Sequence, residues 1–180
     1  KDWLLVRPLC DKVMHQIGGW SVMRLPSEVL LRNVLPAKII LIIENEQSAY
    51  GLGEYKDVIC VAGCGKNLKW LEAEWLKNKI VGYWGDLDSD GLQMLSDART
   101  KIPHVQALMM NDSTLKQFSM NVVPEKTKVQ SVPSNLFPEE ESVFQQLRSG
   151  VYGGERLEQE KLSYDFIDHQ LVDFIKRNNI

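Results

Sequence analysis

Short, mostly apolar runs, each about as long as a β-strand, recur along the middle of this chain. The first covers residues 39–43 (IILII), and further runs cover residues 58–62, 80–84 and 105–109. Strands that are apolar at every position are typical of a parallel sheet buried on both faces. Between the runs, apolar residues recur at helical spacing, and parallel strands need such crossovers. The alternation therefore predicts an α/β fold with an open, mostly parallel sheet flanked by helices.

Two crossover helices are predicted from the spacing of large apolar residues. Leu68, Leu71 and Trp75 recur as on one face of a helix over residues 67–77. Residues 92–99 show the same spacing directly after an acidic stretch. Both helices are expected to pack their apolar faces on the sheet.

The composition changes after residue 123, where three prolines break the chain before two further predicted helices. These cover residues 139–148 and 155–177, and an apolar stripe in the second is expected to pack on the core. Residues 155–161 are dense in charge, which by composition alone indicates a solvated helix face. We expect one domain in three parts: an N-terminal segment packing on the core (residues 1–36), the core (37–123) and a helical C-terminal extension (124–180).

Several classes of protein are excluded by composition. The chain has 180 residues, of which 44% are hydrophobic, so a sizeable core is expected. No apolar run approaches the roughly 20 residues of a membrane span, and no signal peptide opens the chain, so we expect a cytoplasmic protein without a membrane partner. Three cysteines without a C-x-x-C pair indicate neither a disulfide framework nor a zinc site. Because the chain opens at Lys1 within an apolar segment, we expect it to be the C-terminal part of a longer protein.

Acidic residues follow two of the predicted strands. Glu44 comes directly after the first run, and Asp86, Asp88 and Asp90 follow the run at residues 80–84. Ligands of open α/β sheets bind beyond the carboxyl ends of the strands, where these acids meet. If the strand continues, Asp86 and Asp88 lie on one side about 6.6 Å apart. Carboxylates with few other donors suit Mg²⁺, so the pattern predicts metal-assisted phosphoryl transfer or hydrolysis.

Other interpretations of these residues remain open. Any one acid is explained as a loop or capping residue, and Asp90 is placed to cap the next helix. Asp86-x-Asp88 is also typical of phosphatases that form an aspartyl-phosphate, although those usually carry Thr or Val where Asp90 stands. An EF-hand is rejected because a strand, not a helix, enters the loop. Lys66 follows two glycines without the spacing of a P-loop, yet it is placed to contact a phosphate near a helix N-terminus.

The acidic balance argues only weakly against a nucleic-acid substrate. A net charge of −3 and a pI near 5.7 differ from the basic footprint of a DNA-binding domain. Five of the 24 acids, however, fall in two short stretches at the predicted site, and the remaining 19 face 21 basic residues. A bound metal ion would reverse the local sign. The five are Glu44, Glu46, Asp86, Asp88 and Asp90.

These motifs resemble a known family. A strand ending in Glu and another ending in Asp-x-Asp are similar to the Toprim domain of topoisomerases, primases and related nucleases, a Rossmann-like fold. The blocks at residues 83–91 (YWGDLDSDG) and 156–160 (RLEQE) resemble, more specifically, the C-terminal region of JetD, the nuclease subunit of Wadjet anti-plasmid systems. The similarity extends over residues 5–171, nearly the whole chain.

The resemblance implies a Mg²⁺- or Mn²⁺-dependent endonuclease related to the topoisomerase VI A subunit. It implies double-stranded DNA as substrate, a condensin-like SMC complex as partner, a bacterial or archaeal cytoplasm, and hydrolysis by a metal-activated water. It leaves a homodimer open. An isolated C-terminal domain is expected to hold metal yet bind DNA poorly. A phosphohydrolase of the Asp-x-Asp class and a non-catalytic Toprim-like interaction module remain the alternatives.

The resemblance also assigns roles to individual residues in this sequence. Three acids are implied as catalytic metal ligands: Glu44, Asp86 and Asp88. Glu160 and Glu158 are candidates for completing a second metal position, and Asp90, at a position that the family varies, is a further candidate ligand. Arg156, in the RLEQE block, is a candidate for contacting phosphate or DNA, in addition to Lys66, whose position after the two glycines already suggested that role.

Overall fold

Six strands form one sheet in the part of the chain that the computed structural model describes, residues 3–63, 65–126, 128–129 and 131–179. The strands are β1 (Trp3–Pro8), β2 (Met23–Pro26), β3 (Ile39–Ile43), β4 (Val58–Ala62), β5 (Ile80–Trp84) and β6 (Gln106–Ala107). Their order across the sheet is β2-β1-β4-β3-β5-β6. Every residue of β3 and of β4 is buried, as expected for strands covered on both faces.

The centre of the sheet is parallel, which confirms the predicted α/β class. β3 lies between β4 and β5 and runs parallel to both, and β6 runs parallel to β5. Only the two pairings of β1, with β2 and with β4, are antiparallel. In this register Ile43 is opposite Ala62 on one side and Trp84 on the other. The carboxyl ends of β3, β4 and β5 are therefore level, and the residues that follow them share one edge of the sheet.

Helices connect and flank these strands. They are α1 (Asp11–Gln16), α2 (Ser27–Arg32), α3 (Glu46–Tyr50), α4 (Ser89–Lys101), α5 (Asp112–Gln117), α6 (Pro138–Ser149) and α7 (Tyr164–Asn178). The stripe of α7 packs as predicted, since Ile167, Leu171 and Phe174 are buried in the core. No helix among the described residues is long and apolar enough to cross a membrane.

One predicted helix and one predicted strand have a different form in the structure. Residues 67–77 were expected as one helix, but they form two 3₁₀ turns (Lys69–Glu72 and Glu74–Asn78), because Ala73 between them has φ −59° and ψ 126°. The predicted run at 105–109 pairs only through the two residues of β6, and Met109 has a positive φ of 56° that ends the extended conformation.

The predicted helix over residues 155–177 is wrong in its N-terminal part. The helix begins only at Tyr164, where the Ser163 side chain accepts a hydrogen bond from the Phe166 N–H. Upstream, Arg156 and Leu157 are in isolated β-bridges to distant parts of the chain. Long-range pairing therefore overrides the local helical composition. The division into three parts stays a prediction.

Candidate active site

The strand register brings the three predicted acids together at the carboxyl edge of the sheet. Glu44 follows Ile43 directly, and its backbone N–H donates to the Trp84 carbonyl over 3.0 Å. The Glu44 carboxylate in turn accepts from the backbone N–H of Asp86 at 3.0 Å. Asp88 is the N-cap of α4. Residues 42 positions apart in sequence thus share one small site.

Each carboxylate is held through one oxygen by a backbone N–H group. Oδ1 of Asp86 accepts from the N–H of Gln159 at 2.8 Å, and Oδ1 of Asp88 accepts from the N–H of Gly91 at 2.6 Å. Glu44 uses Oε2 for the bond to Asp86. Asp86 and Asp88 are each only 6% exposed. Backbone donors therefore fix the orientation of all three side chains and leave a second oxygen on each for another partner.

Arg156 is that partner for the two aspartates. Its Nη2 lies 2.8 Å from Oδ2 of Asp86, and its Nε lies 3.3 Å from Oδ2 of Asp88. Nη2 is also 3.7 Å from Oε1 of Glu158. Because Asp86 and Asp88 contact the same guanidinium, they lie on the same side of the chain, as strand alternation predicts.

The position of Arg156 follows from an extended segment that pairs with the acidic loop. Leu157 and Leu87 exchange two backbone hydrogen bonds of 2.9 Å, which places Leu157 beside the residue that separates the two aspartates. Arg156 forms a second bridge with Val123. In a helix over residues 155–177 the same backbone N–H and C=O groups would have bonded within the helix. The bridges instead place Arg156 next to the acids.

Gln159 joins the ends of two central strands. Its Nε2 donates to the Trp84 carbonyl at 3.0 Å, its Oε1 accepts from the Asn45 N–H at 3.0 Å, and its own N–H holds Asp86. The residue is only 2% exposed. Sequence reasoning missed Gln159 because its charged neighbours indicated a solvated helix. The signal that could have found it is its place within the RLEQE block.

Burial and mutual repulsion perturb the acids. Burial first, and then the charge of Asp86, raise the pKa of Glu44 to about 8. Burial also raises the pKa of Asp88 to about 6, with Asp86 adding to the rise and the N–H of Gly91 opposing it. The single guanidinium of Arg156 lowers both pKa values without restoring them. The cluster is therefore short of positive charge.

The outlying candidates lie at the rim of this cluster. Asp90 is in the first turn of α4 and does not cap it, because the Asp88 side chain takes that role. Lys66 Nζ is 3.8 Å from Asp90 Oδ1, and its side chain is 81% exposed. Glu160 is exposed and accepts a hydrogen bond from the side-chain amide of Asn45, the residue after Glu44. Their predicted roles toward metal and phosphate stay predictions.

Two more acids near the site behave differently from each other. Glu46 forms a bidentate pair with Arg24 at 2.6 and 2.7 Å, so its charge is neutralised separately. Glu125, which sequence reasoning did not single out, accepts from the N–H and the hydroxyl of Ser89 at the start of α4, and its charge helps to raise the pKa of Asp88.

The donor chemistry fits a hard divalent cation, although the acids are closed around an arginine. Among the residues that the structure describes, no three His, Cys, Asp or Glu side chains have the arrangement of a metal site. The oxygens of Asp86 and Asp88 that would bind an ion instead contact Arg156. All donors are carboxylate oxygens, and they carry excess negative charge in a buried place, which is what Mg²⁺ or Mn²⁺ requires.

Comparison with known proteins gives a match over most of the chain. The model of a protein family described as Wadjet protein JetD, C-terminal, matches residues 1–171. That range contains the acidic cluster, the extended segment with Arg156, and Gln159. No curated protein matches the chain.

Proposed function

This chain belongs to the JetD C-terminal family, and on that premise we propose that it is a Toprim-type, metal-dependent DNA endonuclease domain of a Wadjet defence system. The observation that carries the proposal is the shared design of the three carboxylates. Each is fixed through one oxygen by a backbone N–H, and two of them direct the other oxygen at a cation. Polar groups that are fixed in this way before a ligand binds are characteristic of a site that stabilises charge.

In this proposal Glu44, Asp86 and Asp88 would hold Mg²⁺ or Mn²⁺. A bound ion would supply neutralisation of the phosphate charge and a water of lowered pKa. The residues of the chain supply the rest. Gln159 and the N–H of Gly91 keep the aspartates oriented, and the buried surroundings strengthen each electrostatic contact. Glu160 and Glu158 stand at the rim, where they are candidates for a second ion.

Double-stranded DNA is the proposed substrate, and the subunits of a condensin-like SMC complex are the proposed partners. Both follow from the Wadjet membership rather than from a surface of this domain. Arg156 and Lys66 are the proposed contacts to the DNA phosphates at the site. Arg156 reaches the acids themselves, and Lys66 lies in the loop after β4, beside Asp90.

A nicking assay tests this function. Supercoiled plasmid, Mn²⁺ and the full-length protein are expected to give nicked or linear product. Glu44→Gln and Asp86→Asn are each expected to slow cleavage by about a hundredfold or more, because each removes a ligand of the ion that stabilises the transition state. Glu46→Gln is the matched control, since this carboxylate is two residues away but paired with Arg24, and activity should stay within about twofold.

Undiminished cleavage by Glu44→Gln or Asp86→Asn would contradict the proposal. It would leave the alternative of a non-catalytic interaction module, in which case Mn²⁺ titration would also show no binding. The Asp-x-Asp phosphohydrolase is less well supported by the sequence. Its nucleophile would be Asp86, and such enzymes usually carry Thr or Val at the position of Asp90.

A further inference from the structure

The guanidinium of Arg156 lies between the carboxylates of Asp86 and Asp88. Its guanidinium contacts Oδ2 of Asp86 at 2.8 Å and Oδ2 of Asp88 at 3.3 Å, while the Oδ1 atoms of both are held by backbone N–H groups. The two free oxygens and the guanidinium therefore form one cation site. An ion that binds both Oδ2 atoms has to displace the arginine.

We propose that Arg156 is the resident cation of the metal-free site and exchanges with the divalent ion. This inference rests on the proposed function, because it assumes that Asp86 and Asp88 bind metal. In the metal-free protein Arg156 neutralises part of the acidic cluster and stabilises the fold. When an ion takes the two Oδ2 atoms, the guanidinium moves aside, still attached to the edge of the site.

The contact to Asp88 is poor enough to be exchanged. Nε of Arg156 is buried and has no hydrogen-bond partner, although it lies 3.3 Å from the Asp88 carboxylate. Only the contact to Asp86 has hydrogen-bonding geometry. One guanidinium also carries a single charge, whereas Mg²⁺ carries two and would bind carboxylate oxygens at about 2.0–2.1 Å. The ion therefore gains more from the same two oxygens than the arginine loses.

A path for the displaced side chain is present. The backbone of Arg156 is fixed by hydrogen bonds to Val123, at 2.8 and 2.9 Å, so the exchange needs only side-chain rotation. The side chain is 35% exposed, which leaves it an open direction. Glu158 Oε1 already lies 3.7 Å from Nη2 and is the acceptor to which the guanidinium can move. Arg156 thus leaves the ion position without leaving the site.

Mn²⁺ affinity, measured by isothermal titration calorimetry on the wild-type chain and its variants, tests the exchange without reference to cleavage. Arg156→Gln is expected to bind Mn²⁺ about tenfold more tightly than wild type, because the ion no longer breaks a charge-assisted hydrogen bond. In EDTA the same variant is expected to melt at a lower temperature than wild type, and Mn²⁺ should raise its melting temperature by more.

Two further variants keep the result specific. Arg24→Gln removes the same charge from another arginine–glutamate pair at this edge of the sheet and should change Mn²⁺ affinity by no more than about twofold. Arg156→Lys keeps the charge, but a single ammonium does not span both carboxylates, so an intermediate affinity is expected. The lysine variant also provides the measurement if Arg156→Gln fails to fold.

The outcomes separate this inference from the function it rests on. Equal or weaker Mn²⁺ binding by both Arg156 variants, with wild-type binding intact, would overturn the exchange and leave the metal-dependent function standing. Equal tightening in Arg24→Gln would overturn it as well, since long-range charge would then explain the effect. Absence of Mn²⁺ binding in every protein would overturn the proposed function and the exchange together.

Discussion

Glu44 shows how a single side chain is tuned by its position at the end of a strand. It follows β3 directly, its carboxylate binds the N–H of Asp86, and it is largely buried beside two other acids. Burial and the charge of Asp86 raise its pKa to about 8, so near pH 7 the metal-free site holds it mainly protonated. Protonation is how a buried carboxylate lowers the cost of repulsion when no divalent cation is bound.

The raised pKa of Glu44 predicts that the metal-free protein loses stability as pH rises. Its pKa is about 8 in the folded chain against a usual 4.5, so the folded state holds the proton more tightly. The stabilising contribution is complete below about pH 4.5 and is lost as the pH rises toward 8. Between these limits we expect the free energy of unfolding to fall by about 1 kcal/mol per pH unit. Urea unfolding in EDTA at pH 5.5, 6.5 and 7.5 measures this slope.

Glu44→Gln is the control for that slope. It keeps the shape of the side chain and removes the titration, so its stability should vary less with pH than that of wild type. Asp88 remains in the variant, and its pKa of about 6 leaves a smaller slope confined to lower pH. The interpretation would be wrong if the wild-type and variant slopes were equal.

At the scale of elements, the junction between β5 and α4 sets the positions of Asp86 and Asp88. The strand ends at Trp84, and the helix begins at Ser89 with Asp88 as its cap. Between them the chain folds back so tightly that the backbone of Asp86 lies against the first turn of the helix. A Cβ on Gly91 would stand 2.1 Å from the Asp86 carbonyl oxygen. Gly91 is thus required by a close approach of backbone, not by an unusual φ.

Gly91→Ala is expected to destabilise the protein by about 2 kcal/mol, as overpacking does in a core. In an exposed helix the same change would stabilise by about 1 kcal/mol, because Ala is the better helix former. The clash also moves Asp86 away from Asp88, so Mn²⁺ binding should weaken. Gly53→Ala is the control, since its Cβ would meet only Tyr55 Oη at 3.9 Å. Urea unfolding and Mn²⁺ titration measure both effects, and unchanged or increased stability of Gly91→Ala would contradict this account.

At the scale of the whole molecule, a buried ion pair joins α6 to α4. Arg99 of α4 donates to both carboxylate oxygens of Glu140 in α6, at 2.6 and 3.0 Å, and both residues are buried. The guanidinium also lies 3.9 Å from the centre of the Phe137 ring and donates to the Asn135 carbonyl. The ion pair therefore fixes α4 near the end opposite its Asp88 cap. We expect α6 to unfold together with α4 and the sheet.

Glu140→Gln is expected to lower the free energy of unfolding by about 3 kcal/mol, because it leaves Arg99 buried without its counter-charge. Glu72→Gln is the matched control. It breaks the ion pair between Glu72 and Lys101, which lies in α4 as Arg99 does. Because that pair is exposed, no measurable change in the free energy of unfolding is expected. Chemical unfolding followed by both tryptophan fluorescence and circular dichroism measures the effect. A loss in Glu140→Gln no larger than in the control, or separate transitions from the two probes in wild type, would contradict the expected role.

Much of the fold and the acidic set could be predicted from sequence, because both depend on local patterns. Strands β3, β4 and β5 are apolar at nearly every position, which is typical of strands buried on both faces of a sheet. Glu44, Asp86 and Asp88 follow two such strands, and parallel strands end at one edge, so their proximity was also predictable. The resemblance over most of the chain agrees with the family match.

Only the tertiary structure decided which groups surround those acids. Arg156 and Gln159 reach Asp86 across 70 and 73 positions of sequence, through a backbone bridge between Leu157 and Leu87. The composition of this segment does not distinguish it from an exposed charged helix. Its extended form arises because hydrogen bonds to the acidic loop and to Val123 replace those of a helix. Local pattern thus determined the strands and the acids, whereas pairing between distant backbone groups determined the cation that faces them.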